Sequence, residues 1–249
     1  MNASPAADAG PPTGALAGLI ASSFALSHDA DDDARREILD ILAVAAALKP
    51  VAAIGFDTDA ERLDRYTGAA ERCGLVVAPC RPWVSLGEFD RVPRWFVEAV
   101  LAARTRKRLV AISACPELLA RLANCRTATL DAAEEAGLLG YPPCCVADHA
   151  VRRAAMQRDL AAATLAAGQG DPQRAGRLAA AGWLPHGFSG GALAEARCGR
   201  LSGLLMCREC AADPLSPAMR LEASYAMLAD RIGFDAVRPA ATPFDGPRP

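Results

Sequence analysis

Residues 51–79 read VAAIGFDTDAERLDRYTGAAERCGLVVAP, and the order of apolar and polar runs in this stretch decides the fold class. Val51 to Phe56 is an uninterrupted apolar run of strand length. Asp57-Thr58-Asp59 breaks it with turn and helix-capping residues, and from there to about Cys73 the spacing of Leu63, Tyr66 and Ala70 puts them on one helical face. Gly74 stops that helix, Leu75 to Ala78 is a second apolar run, and Pro79 closes it. The stretch predicts strand, helix, strand.

Working outward, Ala34 to Leu48 carries Ile38, Ile41, Leu42 and Ala45 on one face, with Asp31 to Asp33 at its positive end and Pro50 as a stop. Downstream, a helix opens near Pro93 with Trp95, Phe96, Val100 and Leu101. A strand follows over Leu109 to Ser113, then a helix with Pro116 in its first turn, and Thr127 to Leu130 is a further short strand. Alternating strands and helices imply a parallel sheet with right-handed crossovers, hence a small doubly wound α/β unit over residues 14–130. In such sheets ligands lie beyond the carboxyl ends of the strands, which makes Asp57, Cys80, Arg81 and Cys115 the candidate substrate-binding residues. After Asp131 the pattern changes: Cys144 to Ala167, Gly191 to Cys210 and Pro217 to Ile232 all read as helix, so residues 131–237 are expected to form a helical, Cys-rich part. Residues 1–13 and 238–249, rich in Pro, Gly and Ala, read as disordered tails.

A net charge of −2 gives no global electrostatic attraction for a phosphate backbone, so nucleic acid is not expected as a partner. The apolar stretch Ala15 to Leu26 is too short to span a bilayer. No Lys or Arg precedes it, since the first is Arg35, so neither a signal peptide nor a membrane segment is expected. The chain is therefore read as cytoplasmic, where thiols stay reduced, and its nine cysteines become candidate ligands or nucleophiles.

The sharpest local signal is Leu138-Leu139-Gly140-Tyr141-Pro142-Pro143-Cys144-Cys145-Val146-Ala147-Asp148-His149. Two prolines force an extended approach, placing Cys144 and Cys145 in the first turn of the next helix, where unpaired N–H groups and the helix dipole favour thiolate. Asp148 and His149 follow Cys144 and Cys145 by four residues each, so each pair shares a helical face. Adjacent cysteines do not easily both chelate one small ion. They suit a larger cluster, or a division between a ligand and a working thiol. The Gly-Tyr-Pro-Pro-Cys-Cys run resembles the Gly-Tyr-Pro-x-Cys-Cys signature of a little-characterised prokaryotic family, a domain of unknown function; the resemblance is confined to Leu138–His149.

A second group is Cys198 followed by Cys207-Arg208-Glu209-Cys210, a Cys-x-x-Cys in an apparently helical context with no strand before it, which lowers a thioredoxin-like reading. Together the segments offer Cys144, Cys145, Cys198, Cys207 and Cys210, with His186 as a further metal donor. Soft thiolates poorly suit magnesium or calcium and suit an iron–sulfur cluster, of the 4Fe-4S type first, or zinc. The leading expectation is an iron–sulfur enzyme acting on a small molecule by redox, Lewis-acid or sulfur-transfer chemistry, with Cys145, His149 and Asp148 as the catalytic set. The alternatives are a zinc-stabilised binding or adaptor protein and a metal-free thiol enzyme using Cys144 or Cys145 with His149. Cys73 and Cys125 are expected to be bystanders.

Overall fold

The computed structural model describes residues 32–55, 60–80, 84–106, 108–124, 129–186, 197–199 and 201–231. The elements run α1 (Asp32–Ala45), β1 (Val51–Ile54), α2 (Ala60–Arg72), β2 (Val76–Cys80), β3 (Val84–Ser85), α3 (Arg94–Arg104), β4 (Leu109–Ser113), α4 (Pro116–Asn124), β5 (Thr129–Leu130) and α5 (Ala132–Leu139). They continue with α6 (Pro143–Ala167), α7 (Pro172–Ala180), β6 (Arg197–Cys198), β7 (Leu205–Met206), α8 (Arg208–Ala212) and α9 (Pro217–Arg231). The strand-helix-strand stretch forms as read, from β1 to β2.

The sheet itself is a correction. Three strands lie in the order β1-β4-β2, and β4 is antiparallel to both neighbours, with Val51 and Val76 each opposite Ser113. The expected parallel, doubly wound unit is therefore absent among the described residues. β1 and β2 do run parallel to each other, joined by α2, but β4 inserts between them in the opposite direction. Apolar runs fix where strands are, whereas their direction is set by the connections, here the long excursion through β3 and α3. β4 is buried throughout. Pro79, which has no N–H to donate, is tolerated because β2 is an edge strand. Two short ladders complete the strands: β3 pairs parallel with β5, and β6 pairs antiparallel with β7.

The antiparallel order separates two of the four residues expected to bind substrate. Cys80 pairs with Leu109 at one end of the sheet, while Cys115 follows Ser113 at the other, so the two thiols do not converge. Asp57 and Arg81 lie outside the described residues.

The main core joins both halves of the chain. Ile38, Leu39, Leu42, Ile54, Leu63 and Ile112 pack in one cluster with Leu201, Tyr225 and Leu228 from the C-terminal part. Asp40 of α1 accepts a hydrogen bond from the Tyr225 hydroxyl at 2.8 Å and pairs with Lys49 at 2.9 Å. A separate cluster, built on Phe96, Ala99, Ala161 and Ala179, binds α3, α6 and α7. The helix read over Gly191 to Cys210 is a further correction. Its described part is the β6–β7 hairpin followed by the five-residue α8, and Gly203, at φ +65°, supplies turn geometry where a helix would need continuity.

Candidate metal centre

The Gly-Tyr-Pro-Pro-Cys-Cys run is a device for positioning two thiols. Asp131 opens α5 with a capping box completed by Glu134, and Gly140 ends the helix at φ +72°, a left-handed conformation. A Cβ at Gly140 would lie 2.9 Å from Pro50 Cδ and 3.3 Å from Lys49 Cα, so this glycine is also needed for close approach. Tyr141 then lays its ring under Lys49, whose Nζ is 4.8 Å from the ring centroid and donates to the Tyr141 hydroxyl at 3.2 Å. Burial alone would lower the Lys49 ammonium, but the Asp40 charge and the Tyr141 oxygen outweigh it and hold the group charged. Pro142 caps α6 in an extended conformation and Pro143 opens it, which delivers Cys144 and Cys145 to the first turn as the sequence predicts.

The second pair of thiols arrives from the hairpin. Glu222 on α9 accepts from the Leu201 amide at 2.6 Å, the Ser202 amide at 3.0 Å and the Ser202 hydroxyl at 2.7 Å, clamping the β6–β7 turn. Gly199 is required beneath that clamp, because a Cβ there would meet Ser202 Oγ at 2.4 Å and Glu222 Oε2 at 2.7 Å. β7 runs into Cys207, the N-cap of α8, whose sulfur accepts from the Cys210 amide at 3.4 Å. The Cys-x-x-Cys therefore follows a strand, contrary to the helical context expected for it. Ser216 fixes the far side by donating to the Cys210 carbonyl at 2.8 Å.

The two pairs meet. The sulfurs of Cys144, Cys145, Cys207 and Cys210 all lie within 4.8 Å of one another. Cys144 Sγ is 3.5 Å from Cys210 Sγ, and the Cys207 amide donates to Cys145 Sγ at 3.5 Å. Cys144 is exposed and the other three are buried, packed against Leu204, Met206 and Ala218. These four cysteines could bind a metal ion. Adjacent cysteines are not expected to chelate one small ion easily, yet in the first turn of α6 both sulfurs reach the same group.

Desolvation raises the Cys144 thiol, helped by hydrogen bonds to Cys210 and Cys207, and desolvation holds the Cys145 thiol well above its ordinary value. Burial opposes the Cys210 thiolate too, yet hydrogen bonds from Cys144, Cys207 and Cys145 outweigh it and lower that thiol. Burial thus favours the protonated form of Cys144 and Cys145, and a bound cation would favour their ionisation.

Cys198 and His186 fall outside this group. Cys198 sits on β6 with its thiol on the Gly199 carbonyl at 3.5 Å, raised by burial in spite of Arg36, and His186 is an exposed turn residue. Asp148 does not orient His149, because its carboxylate takes the Arg152 Nε at 2.6 Å instead. His149 shares with Cys145 a cavity of about 180 Å³ that Glu135, Tyr141 and Leu204 also line, and its buried Nδ1 has no hydrogen-bond partner. Desolvation and the nearby Arg153 pull the imidazole down to about 4. Away from the site, Cys115 donates to Glu117 at 2.9 Å, Cys80 is pushed up to about 12 by burial, and Cys73 packs half-buried at the main core. Cys125 lies outside the described residues.

The supporting groups Lys49, Glu222 and Ser216 carried no sequence signal, since each acts on its partner only through tertiary structure. Among the described residues, no helix is long and apolar enough to cross a membrane. Comparison with models of protein families, with curated proteins and with solved structures finds no match.

Proposed function

We propose that the protein is a zinc-stabilised binding protein in which Cys144, Cys145, Cys207 and Cys210 hold one ion as a tetrathiolate. The mutual separation of the four sulfurs carries this reading. One ion bound at about 2.3 Å per thiolate has tetrahedral S···S edges of about 3.8 Å, close to the 3.5 Å between Cys144 and Cys210 and within the 4.8 Å limit of the group. A four-iron cluster places its own iron and sulfide core between thiolates that each bind a different iron, and so needs them further apart. Four thiolates also leave a tetrahedral ion no open position, the mark of a structural rather than a catalytic zinc. The ion's role in this reading is to tie the start of α6 to the β6–β7 hairpin and α8. Chelation of the loaded protein tests it: metal removal should lower thermal stability and loosen the C-terminal part together, and a protein whose stability ignores chelation contradicts it.

An iron–sulfur enzyme is the second reading, and the cavity that joins Cys145 to the unpartnered His149 nitrogen favours it. Iron and acid-labile sulfide in the anaerobically purified protein would decide for it. A metal-free thiol enzyme has less support. Its nucleophile needs thiolate beside imidazolium, whereas burial raises Cys145 and lowers His149, leaving both neutral near pH 7.

A further inference from the structure

α3, α6 and α7 pack through small residues, Ala99, Ala161 and Ala179, and their packing leaves a cavity of about 430 Å³ that closes on the turn after α7. Its walls are apolar, chiefly Phe96, Val100, Met156, Leu160 and Trp183. Three polar side chains join them: Arg104, Arg153 and Gln157. Gln157 is 3% exposed, and its amide oxygen is buried without a hydrogen-bond partner. A buried orphan amide is costly unless something else completes it, and either end of an amide can be turned to a ligand.

Both arginines pair with Glu88. Glu88, 2% exposed, pairs through one oxygen, Oε1, with Arg104 Nη2 and, at 2.8 Å, with Arg153 Nε. Glu88 is shared between the two guanidinium groups, and among the described residues no Asp or Glu lines the cavity. Glu135, which also acts on Arg153, lines the other cavity beside Cys145, where it accepts from the Ser85 hydroxyl at 2.6 Å. Apolar walls with two guanidinium groups and one unsatisfied amide describe a site for an amphipathic monoanion.

We infer that this cavity binds a small carboxylic acid with an aliphatic or aromatic body, its carboxylate accepting from Arg153 and from the Gln157 amide N–H, with that amide turned so that its nitrogen takes the place of the orphaned oxygen, and its body against Phe96, Met156 and Trp183. The carboxylate complements the two guanidinium groups that line the cavity, and the 2.8 Å ion pair with Glu88 positions the Arg153 guanidinium to receive it. This gives the binding reading its ligand class and does not depend on which metal the four cysteines hold.

The test is calorimetric titration of the metal-loaded full chain with octanoate, and with octylammonium as a probe of the same body and opposite charge. Octanoate should bind with a Kd below about 1 mM and octylammonium at least about tenfold more weakly. Ala103→Phe, which fills the cavity from α3, and Arg153→Met, which leaves Glu88 its Arg104 partner, should each weaken octanoate at least about tenfold while metal content stays unchanged. Equal binding of the two probes, octanoate binding that survives Ala103→Phe, or no heat with octanoate up to about 10 mM overturns the inference. If Arg153→Met does not fold, Ala103→Phe and the amine decide. Metal content measured on the same samples keeps this outcome separate from that of the zinc reading.

Discussion

Replacing Lys49 with Met removes a cation that ties the Gly-Tyr-Pro-Pro-Cys-Cys run to Asp40 of the first helix, and the structure sets the size of the loss. The Lys49 side chain is 2% exposed and its Asp40 partner 21% exposed, 2.9 Å apart. Methionine refills the space of the stem, so little cavity cost is added. What remains is the Asp40 carboxylate, which keeps the Tyr225 hydroxyl as a donor in a mostly desolvated place, and a Tyr141 hydroxyl that has lost the Lys49 donor. Breaking a fully buried pair costs about 3–5 kcal/mol, and the partial exposure of Asp40 brings the expectation to about 3 kcal/mol. Adding Asp40→Asn removes the orphaned charge, so the double variant should recover about 2 kcal/mol. Urea unfolding of the metal-loaded proteins at pH 7 measures this as a fall of about 1 M in midpoint for Lys49→Met at unchanged slope, largely reversed in the double variant. The folded Lys49 value lies above its ordinary one, so its stabilisation is complete across neutral pH and is lost only as alkali passes the folded value. A loss below about 0.5 kcal/mol, or single effects that simply add in the double variant, would refute the reasoning.

Three further outcomes follow from the same geometry. Gly140→Ala combines a left-handed backbone with a 2.9 Å approach to Pro50 and should cost about 2–3 kcal/mol, read as a drop in urea midpoint, whereas Gly137→Ala, with open space around its Cβ, should be neutral or stabilising. His149 is held neutral with a folded value of about 4, below the ordinary 6.5, so the unfolded chain binds the extra proton between those values and stability falls on acidification through that window. Its share, up to about 3 kcal/mol, should disappear from the pH dependence of His149→Gln, and identical wild-type and variant profiles would count against it. Replacing Cys144, Cys145, Cys207 or Cys210 singly with Ser should lower metal content and thermal stability, while Cys73→Ser and Cys198→Ser should leave metal content unchanged.

The parts of this molecule that sequence discloses are those with local causes. The Leu109–Ser113 strand emerges with its expected ends because four apolar residues are bounded by Arg108 and Ser113, and the prolines at 142 and 143 place Cys144 and Cys145 at a helix start through their own fixed geometry. Strand direction has no local cause, which is why alternating strands and helices suggested a parallel sheet where β4 runs antiparallel. The β6–β7 hairpin escaped notice because each strand has only two residues and the clamp that holds its turn, Glu222, lies about twenty residues downstream. Cys198 looked like a ligand by count alone. Its strand position puts it near Arg36 and Glu222 and outside the four-sulfur group. The meeting of Cys144 and Cys145 with Cys207 and Cys210 was legible as a set of residue types, but the single-ion spacing exists only in three dimensions.

Metal analysis of the protein purified anaerobically, together with X-ray absorption at the bound metal's edge, tests the central claim most directly. One metal ion per chain is predicted, zinc, with four sulfur neighbours at about 2.3 Å and no acid-labile sulfide. Iron with stoichiometric sulfide and short iron–iron distances, or a metal-free protein of unchanged stability, would contradict it.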